Sequence, residues 1–367
     1  MKEINVKASK SYRILIGYKI RNEIGQLIEP FKFNKVAIIT DVNVAQHYLN
    51  DVTAALSPHV PTVSYVIPAG EHSKSMAEFE RIQQFLLAEQ LDRNSAVLAL
   101  GGGVVGDLAG FVSSTYMRGI GFIQMPSSLL AHDSSVGGKV AINLSNVKNV
   151  IGQFYQPDLV IYDQEMLTTL SDQEFRSGLA EVIKHGLIDN VSLLKELMNK
   201  SKVSSHDSDF AHILEASIHV KRAIVEHDER ESSIRQYLNF GHTLGHAIES
   251  VYSTSFVTHG ESVMIGILFD LYVSDLENES DSQLLNQRLV DWLTTLGYKL
   301  NVTNWKAEEL LTVMLADKKN DTQQIALILL RAYGQPYVKH FDYKQIETLL
   351  NGFVEYITQH PNVKKLC

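Results

Sequence analysis

Residues 95–112 of the chain read SAVLALGGGVVGDLAGFV, and this segment is the best indicator of the fold of the N-terminal part. Its first half is a short apolar run that is typical of a buried parallel strand, and three consecutive glycines then lead into a helix. Glycines at such a turn let backbone N–H groups converge on a pyrophosphate at the helix N-terminus. Residues 101–107 are therefore a candidate phosphate loop. A tight turn without a ligand stays the alternative, because the pattern is not the usual G-x-G-x-x-G.

The segments around this stretch alternate between strand and helix patterns. Strands are predicted at residues 35–41, 63–67, 121–125 and 159–162, helices at 45–56 and 76–89, and a hairpin within residues 1–17. The alternation predicts a parallel, doubly wound sheet covered by helices. Asp41 ends the first of these strands, where it could bind ribose hydroxyls or cap the next helix.

The character of the chain changes after Ser171, because long helix-periodic segments follow with few strand patterns. We therefore place a domain boundary near residue 170. The prediction is an α/β domain over residues 1–170 and a mainly helical domain over residues 171–367.

Residues 126–152 are rich in glycine and serine, and we expect them to form mostly loop. Asp133, Lys139, Lys148 and Asn149 lie in this stretch. Such a polar composition suits a ligand-binding wall. An ordinary charged surface loop is the alternative, and composition alone favours it.

A second informative stretch, residues 235–259, reads RQYLNFGHTLGHAIESVYSTSFVTH. Arg235, Asn239, His242 and His246 are spaced 4, 3 and 4 residues apart, which on one α-helix places all four side chains on the same face. An inward face would ordinarily carry Leu, Ile or Val. The two imidazoles, together with His259 at the start of the next helix, predict a metal site, although paired histidines can also be ordinary surface or core residues.

A metal site needs a further ligand, and Glu181 in the segment LAEVIKH is the candidate. Glu181 and Lys184 are three residues apart on a predicted helix, so they share a face. A surface ion pair is the usual outcome of that spacing, but the flanking residues here are apolar. Lys221, in HVKRAIV, is another lysine on a mainly apolar helix.

Composition restricts the class of protein. A net charge of −9 disfavours a general nucleic-acid-binding role, although an acidic protein can hold a basic pocket for a small anion. The single cysteine, Cys367, leaves no disulfide framework within the chain and fits a reducing compartment. We find no signal-peptide pattern and no apolar run of ~18 residues, so we expect a cytoplasmic protein that does not enter a membrane.

Several motifs together resemble the 3-dehydroquinate synthase family over nearly the whole chain: GGGVVGDLAGF, DSSVGGKVAIN with a following KN, GLAEVIKHG, RQYLNFGHTLGHAIE and HGESVMIG. The resemblance implies an α/β Rossmann-like N-terminal domain that binds NAD and a mainly α-helical C-terminal domain that binds metal and substrate. It also implies a homodimer and a divalent metal, usually Zn²⁺, with Co²⁺ possible. The implied reaction converts 3-deoxy-D-arabino-heptulosonate 7-phosphate, a phosphorylated sugar acid, into 3-dehydroquinate and phosphate in the shikimate pathway of aromatic amino acid biosynthesis.

The family's functional positions carry over residue by residue to this sequence. Its metal ligands match Glu181, His242 and His259. Its cofactor contacts match Asp41, Asn43, Glu71, Lys74, Gly102, Gly103, Val104, Val105, Gly106, Asp107, Ser127, Ser128, Asp133, Lys139, Lys148, Asn149, Met166, Leu167, Thr168 and Thr169. Its substrate contacts and catalytic positions match Lys139, Lys148, Lys184, Lys221, Arg235, Asn239, His246 and one of Lys318 and Lys319. Arg118 matches an arginine that reaches the neighbouring subunit's phosphate site.

Two departures from the family pattern lie close together. Ser127 and Ser128 stand where the family usually has two threonines, so the hydroxyl groups are kept. The stretch between them and Asp133 is one residue shorter than the usual pattern.

The implied reaction has no net redox change and still needs NAD, because oxidising the C5 hydroxyl to a ketone acidifies the neighbouring C6 proton and lets phosphate leave. Three protein ligands would leave positions on the metal open for substrate oxygens. Arg235 would hold the substrate carboxylate with its planar guanidinium, and lysines would act as point charges. The substrate's own phosphate could serve as the base.

Three other functions are compatible with parts of these patterns. A related sugar phosphate cyclase such as 2-deoxy-scyllo-inosose synthase would use the same NAD and zinc machinery, but Arg235 and Asn239 favour a substrate with a carboxylate. A metal-dependent alcohol dehydrogenase of the glycerol dehydrogenase type would not need so many anion-binding lysines. A non-catalytic nucleotide- or metal-binding protein would not need the full set of metal and substrate positions.

Overall fold

The computed structural model of the chain describes residues 1–145, 147–252, 257–278, 283–300, 305–316 and 324–359. The chain forms two compact units, the first made of Met1–Ser171 and Ser208–Arg230 and the second of Asp172–Asp207 and Glu231–Cys367. The division between Ser171 and Asp172 lies next to the domain boundary predicted at residue 170. Residues 208–230 group with the first unit, so the chain returns to that unit after leaving it.

The strands of the first unit are β1 (Lys2–Val6), β2 (Tyr12–Gly17), β3 (Val36–Asp41), β4 (Thr62–Ile67), β5 (Ala96–Gly101), β6 (Gly121–Pro126), β7 (Lys139–Leu144), β8 (Val147–Phe154) and β9 (Leu159–Asp163). Within the described residues, seven of them form one sheet in the order β1-β2-β9-β6-β5-β3-β4. β1 and β2 form the predicted antiparallel hairpin, and the other neighbours in this sheet are parallel. The predicted parallel α/β fold is confirmed.

The helices of the first unit are α1 (Ile24–Ile28), α2 (Val42–Val44), α3 (Asn50–Leu56), α4 (Met76–Ala88), α5 (Gly103–Thr115), α6 (Ala131–Ser134) and, numbered by its place in the chain, α9 (Phe210–His227). They cover both faces of the sheet. Successive strand residues point to opposite faces, so each strand contributes side chains to both layers. Ile38 and Leu98 belong to one buried cluster, whereas Ile39 and Val97 belong to the other. Both faces of β3 and β5 are therefore buried, which explains their uninterrupted apolar sequence.

α9 joins the first unit through contacts with α6 and β1. The Lys7 amide, just after β1, donates a 2.8 Å hydrogen bond to the Glu226 carboxylate on this helix. Helical periodicity shows that α9 has a buried face, but the partner of that face lies some 80 to 220 residues earlier in the chain. Local patterns carry no information on that partner.

The prediction that residues 126–152 are mostly loop is wrong. β7 and β8 pair antiparallel in this stretch, with Lys139 opposite Phe154 and Ile142 opposite Ile151. Most of the β8 residues are exposed, so the strand lacks the alternation of apolar and polar residues that reveals a half-buried strand.

The second unit is mainly helical, as predicted. Its helices are α7 (Asp172–Ile188), α8 (Val191–Met198), α10 (His242–Tyr252), α11 (His259–Glu277), α12 (Gln287–Thr295), α13 (Ala307–Ala316) and α14 (Tyr343–Gln359). This unit also contains β10 (Ile325–Leu330), which pairs antiparallel with β11 (Pro336–Phe341). Among the described residues, no helix combines the length and apolar composition needed to cross a membrane.

The prediction of one continuous helix through Arg235, Asn239, His242 and His246 is wrong. A 3-10 helix spans Ile234–Asn239, and α10 begins separately at His242. Gly241 between them has a φ of +77°, and a Cβ at this position would lie 2.8 Å from the Val263 carbonyl oxygen on α11. Its amide donates a 2.7 Å hydrogen bond to the buried Asp270 carboxylate. Packing against α11 therefore imposes a left-handed residue that interrupts the helix.

Candidate functional site

Glu181, His242 and His259 form a compact cluster in the second unit. Their potential ligand atoms all lie within 4.8 Å of one another. The Nε2 atoms of His242 and His259 lie 3.4 Å and 3.6 Å from the same Glu181 carboxylate oxygen. Two imidazole nitrogens and one carboxylate are a donor set that suits a divalent metal such as zinc and leaves room for further ligands. The residues therefore fit the metal that the sequence predicts.

The Glu181 carboxylate is buried and charged. Glu181 and Lys184 are each 1% exposed, and the Lys184 ammonium contacts the carboxylate while donating a 2.8 Å hydrogen bond to the Leu238 carbonyl. Burial raises the pKa of Glu181, but Lys184 and the two histidines outweigh it and hold the pKa well below its usual range. Among the described residues no donor makes a well-directed hydrogen bond to either oxygen of this carboxylate. A buried anion of this kind is suited to a cation ligand.

The two histidines have different electrostatic surroundings. Burial and the nearby Lys184 charge lower the pKa of His242. Burial also lowers the pKa of His259, but contacts with Glu181 and Glu249 outweigh it and raise the pKa to about 9. The Nδ1 atom of His242 lies 3.1 Å from the Phe240 carbonyl oxygen, and that of His259 lies 2.9 Å from the Glu249 carboxylate. Each ring therefore turns its Nε2 atom toward Glu181.

Three helices bring the cluster together, and α11 begins where they meet. A Cβ at Gly260 would lie 1.9 Å from the Ser177 carbonyl oxygen, so only glycine allows α11 to approach α7 this closely. The Thr258 side chain and Glu261 form a capping box at the start of α11. Arg176 of α7 donates a 2.9 Å hydrogen bond to the same Glu261 carboxylate. These contacts hold His259 on α11 beside Glu181 on α7.

The predicted substrate residues of the second unit lie near this cluster in the chain and in space. Lys184 bonds to the Leu238 carbonyl, which attaches the 3-10 helix carrying Arg235 and Asn239 to α7. Arg235 is 1% exposed, and the Asn239 amide donates a 2.9 Å hydrogen bond to Glu231. The His246 ring is centred 5.2 Å from the His242 ring and 5.8 Å from the His259 ring.

The candidate phosphate loop of the first unit ends β5 and begins α5. Gly102 is the N-terminal cap of α5 in an extended conformation. A Cβ at Gly102 would lie 3.3 Å from the Ser128 hydroxyl, and one at Gly106 would lie 3.3 Å from Gln124. The Ser127 amide donates a 3.1 Å hydrogen bond to the Gly101 carbonyl. The predicted serines and glycines therefore line one edge of the sheet, where the N-terminus of α5 can attract an anion.

A charged group of predicted cofactor residues adjoins this loop. The buried Lys74 ammonium donates to the Asp107 carboxylate at 2.8 Å and also to the Asn149 side chain. Burial raises the pKa of Asp107, and the Lys74 charge opposes that effect. Glu71 lies 3.6 Å from the Lys74 ammonium. The structure thus brings together four residues that are up to 78 positions apart in the sequence.

Asp133 and Lys221 meet within the first unit, although 88 residues separate them. The Lys221 ammonium lies 2.7 Å from the Asp133 carboxylate and also donates to the Asp133 carbonyl. The preceding residue, His132, is fully buried, and its Nε2 atom lies 2.9 Å from the Ser217 hydroxyl, one helical turn before Lys221.

The remaining predicted cofactor residues have mixed surroundings. The Asp41 carboxylate accepts hydrogen bonds from the Asn43 and Val44 amides, so it caps α2. The side chains of Val105, Met166 and Leu167 are buried in the core, whereas Val104 is partly exposed. The hydroxyl of Thr169 shares a 2.8 Å hydrogen bond with Tyr48, and that of Thr168 donates to the Glu165 carbonyl.

Three predicted cationic residues are exposed in the first unit: Arg118, Lys139 and Lys148. Arg118 has a φ of +71° and follows Met117, whose φ is +49°. Two consecutive non-glycine residues in the left-handed region are uncommon. Lys318 and Lys319 lie outside the described residues.

Two residues at these sites were not identified from the sequence. The Asn143 side chain donates to Glu71 at 2.8 Å and accepts from the Asn149 amide at 2.9 Å, so it connects two of the predicted cofactor residues. Its place in the unpredicted β7–β8 hairpin concealed it. Glu249 contacts His259, and its spacing from His242 and His246 on α10 could have revealed it.

Comparison with known proteins identifies the family. Models of the N-terminal and C-terminal parts of 3-dehydroquinate synthase match residues 64–177 and 178–320. A curated 3-dehydroquinate synthase from Bacillus pumilus (strain SAFR-032) is 45% identical over 346 residues, which cover 93% of this chain and 95% of that protein.

Solved structures with the same fold include 2-deoxy-scyllo-inosose synthase complexed with carbaglucose-6-phosphate, NAD⁺ and Co²⁺, with a TM-score of 0.86 and 22% identity over 96% of this chain and 99% of that one. They also include 2-epi-5-epi-valiolone synthase from Streptomyces hygroscopicus subsp. jinggangensis 5008 with NAD⁺ and Zn²⁺, with a TM-score of 0.84 and 22% identity over the same shares of the two chains. The structural likeness establishes the fold, and the sequence matches go further: this chain belongs to the 3-dehydroquinate synthase family.

Proposed function

We propose that this chain is a 3-dehydroquinate synthase, a lyase that converts 3-deoxy-D-arabino-heptulosonate 7-phosphate into 3-dehydroquinate and phosphate. Membership of the family supports this reaction. The single observation that carries it in the structure is the cluster formed by the buried Glu181 with the partly buried His242 and His259. Burial of the Glu181 carboxylate beside Lys184 costs desolvation free energy, and a role in metal binding would explain why the fold accepts that cost.

We propose NAD and a divalent metal, Zn²⁺ or Co²⁺, as the cofactors. When bound, NAD would accept and return a hydride, and the metal would polarise the oxygens of the reacting carbon. Glu181, His242 and His259 would hold the metal. Residues 102–107, with Ser128 and Lys74, would hold the nucleotide by backbone amides and charge. Neighbours in structure contain NAD⁺ with Co²⁺ or Zn²⁺, which supports this assignment.

The cationic side chains would bind the two anionic groups of the substrate. Arg235 is buried, and a buried planar guanidinium can hold a carboxylate in a bidentate, charge-assisted way. Lys184 keeps the neighbouring Glu181 ionised and orients the 3-10 helix that carries Arg235. Asp133 holds the Lys221 ammonium in one position, which limits the motion of an otherwise flexible side chain. Lys139, Lys148, Asn239 and His246 complete the proposed set.

The test is to add substrate and catalytic NAD and to measure released phosphate and NADH together. Phosphate should be released at a steady rate without stoichiometric NADH, because the hydride returns to the product. NADH that accumulates in proportion to turnover would instead indicate an alcohol dehydrogenase of the glycerol dehydrogenase type. Turnover of a sugar phosphate that lacks the carboxylate would indicate a different cyclase.

We also propose a homodimer in which Arg118 binds the substrate phosphate of the neighbouring subunit. The exposed position of Arg118 and its left-handed backbone support this role, since strained backbone is concentrated at functional sites. A cytoplasmic location stays a prediction from the sequence, and cell fractionation would test it.

A further inference from the structure

The carboxylate of Glu249, which belongs neither to the metal cluster nor to the proposed substrate contacts, lies 2.9 Å from the Nδ1 atom of His259. We propose that Glu249 is a positioning residue that holds His259 in the orientation and tautomer that a metal requires. This inference rests on the proposed metal function of Glu181, His242 and His259.

The orientation of the ring follows from contacts on its two nitrogen atoms. Nε2 of His259 faces the Glu181 oxygen at 3.6 Å, while Nδ1 faces Glu249. A carboxylate accepts only, so the hydrogen of this contact belongs to Nδ1. Only the neutral form of the ring can bind a metal, and in that form the lone pair is therefore on Nε2.

The second histidine of the cluster is held in a similar way but by a weaker acceptor. Nδ1 of His242 lies 3.1 Å from the Phe240 carbonyl oxygen, two residues earlier in the chain. A hydrogen bond to a charged carboxylate is shorter and stronger than one to a neutral carbonyl. Glu249 should therefore affect the binding of metal through His259 more than a backbone acceptor could.

The contact between Glu249 and His259 connects the two helices that carry the histidines of the metal cluster. Glu249 lies on α10, two helical turns after His242, whereas His259 begins α11. The Glu249–His259 contact thus connects the second half of the helix that carries one ligand with the start of the helix that carries the other. Glu249 is partly buried, with a side chain 20% exposed, so water screens this contact less than it screens a surface pair.

The test measures the affinity of the purified full chain for Zn²⁺ by competition with a chelator, in the wild type, Glu249→Gln and Glu249→Ala. Glu249→Gln keeps an oxygen acceptor without the charge, and Glu249→Ala removes the acceptor. We expect affinity to fall about 10-fold in the first and up to about 100-fold in the second, as for other residues that support metal-bound histidines. The absorption spectrum of bound Co²⁺ should also change, because it reports the ligand geometry.

Glu277→Gln is the matched control. Glu277 lies on α11, the helix of His259, and its carboxylate pairs with Lys339 rather than with a metal ligand. The Glu277→Gln variant should bind Zn²⁺ with the affinity of the wild type. Urea unfolding of the metal-free proteins separates a loss of metal affinity from a loss of folding, and Glu249→Gln keeps the test valid if Glu249→Ala does not fold.

Unchanged zinc affinity and an unchanged Co²⁺ spectrum in a folded Glu249→Gln and Glu249→Ala would overturn the inference. A wild-type chain that binds no metal would overturn it together with the proposed function. A wild-type chain that binds zinc but releases no phosphate would refute only the proposed reaction, and the effect of Glu249 on zinc affinity would then still decide the inference.

Discussion

At the scale of single residues, His259 has the most direct consequence for the proposed metal site, because it is one of three ligands. His259→Ala should lose stoichiometric zinc and turnover, with a larger effect than the ~10–100-fold loss that supporting residues cause. Metal analysis of the purified protein measures this. His340→Ala is the control, since His340 is exposed on β11 in the same unit and should leave the zinc content unchanged. Full zinc occupancy in His259→Ala would refute the assignment.

Asp270, also a single residue, should make stability depend on pH. Burial raises the pKa of this carboxyl well above its usual range, although a hydrogen bond from the Gly241 amide lowers it. The folded state therefore holds the proton more tightly than the unfolded state, so stability is lost as pH rises from about 4 through the raised pKa.

Asp270→Asn cannot ionise and can still accept the hydrogen bond from Gly241. Near neutral pH it should be more stable than the wild type by about 1–3 kcal/mol, the usual cost of an uncompensated buried polar group. The advantage should shrink as the pH falls, and it should be smallest below about 4, where the wild-type carboxyl is protonated in both states. Urea unfolding at several pH values measures the difference. An advantage that does not change with pH would contradict the assigned cause.

At the scale of elements, the close contact between α10 and α11 determines where two of the proposed ligands lie. A Cβ at Gly266 on α11 would lie 1.9 Å from the Gly241 carbonyl oxygen, just before α10 begins. Gly266→Ala should therefore destabilise the fold by about 1–3 kcal/mol and weaken zinc binding, because the two helices must move apart.

Gly352→Ala on α14 is the matched control for that change. A Cβ there would meet the hydroxyl end of Tyr272, a side chain that can move. The gain of up to ~1 kcal/mol in helix propensity should offset the adjustment, so stability and zinc affinity should stay near the wild-type values. If Gly266→Ala changed stability and zinc affinity as little as Gly352→Ala, the α10–α11 contact would be shown to tolerate an added methyl group.

At the scale of the whole molecule, the proposed homodimer predicts complementation between two damaged chains. Arg118→Ala should weaken substrate binding strongly and leave zinc and NAD binding intact. If the site is shared, a dimer of one Arg118→Ala chain and one His242→Ala chain has one intact site and one doubly damaged site. Mixing the two inactive proteins should therefore restore part of the activity. No recovery would mean that Arg118 acts within its own chain.

The class of the fold and the members of the cluster in the second unit could be predicted from local sequence patterns. Buried parallel strands are apolar on both faces, so β3 and β5 were recognisable as continuous apolar runs. The glycine-rich turn after β5 was recognisable because it lies directly between a strand and a helix. Glu181, His242 and His259 stood out because charged and imidazole side chains occupy positions where helices ordinarily carry apolar residues. These are local patterns, which involve only residues that are close together in the sequence.

The contacts between segments that are distant in the sequence could not be predicted, because they depend on tertiary packing. Gly241 interrupts the predicted helix because α11 lies against it, and that contact involves residues more than 20 positions away. The exposed residues of β8 lack the alternating pattern of a strand. β8 is a strand because β7 supplies its hydrogen-bond partners. α9 returns to the first unit through contacts with β1 and α6, and Glu249 reaches His259 across two helices. Each of these outcomes depends on packing and hydrogen-bond partners from elsewhere in the chain, which no local period or residue spacing encodes.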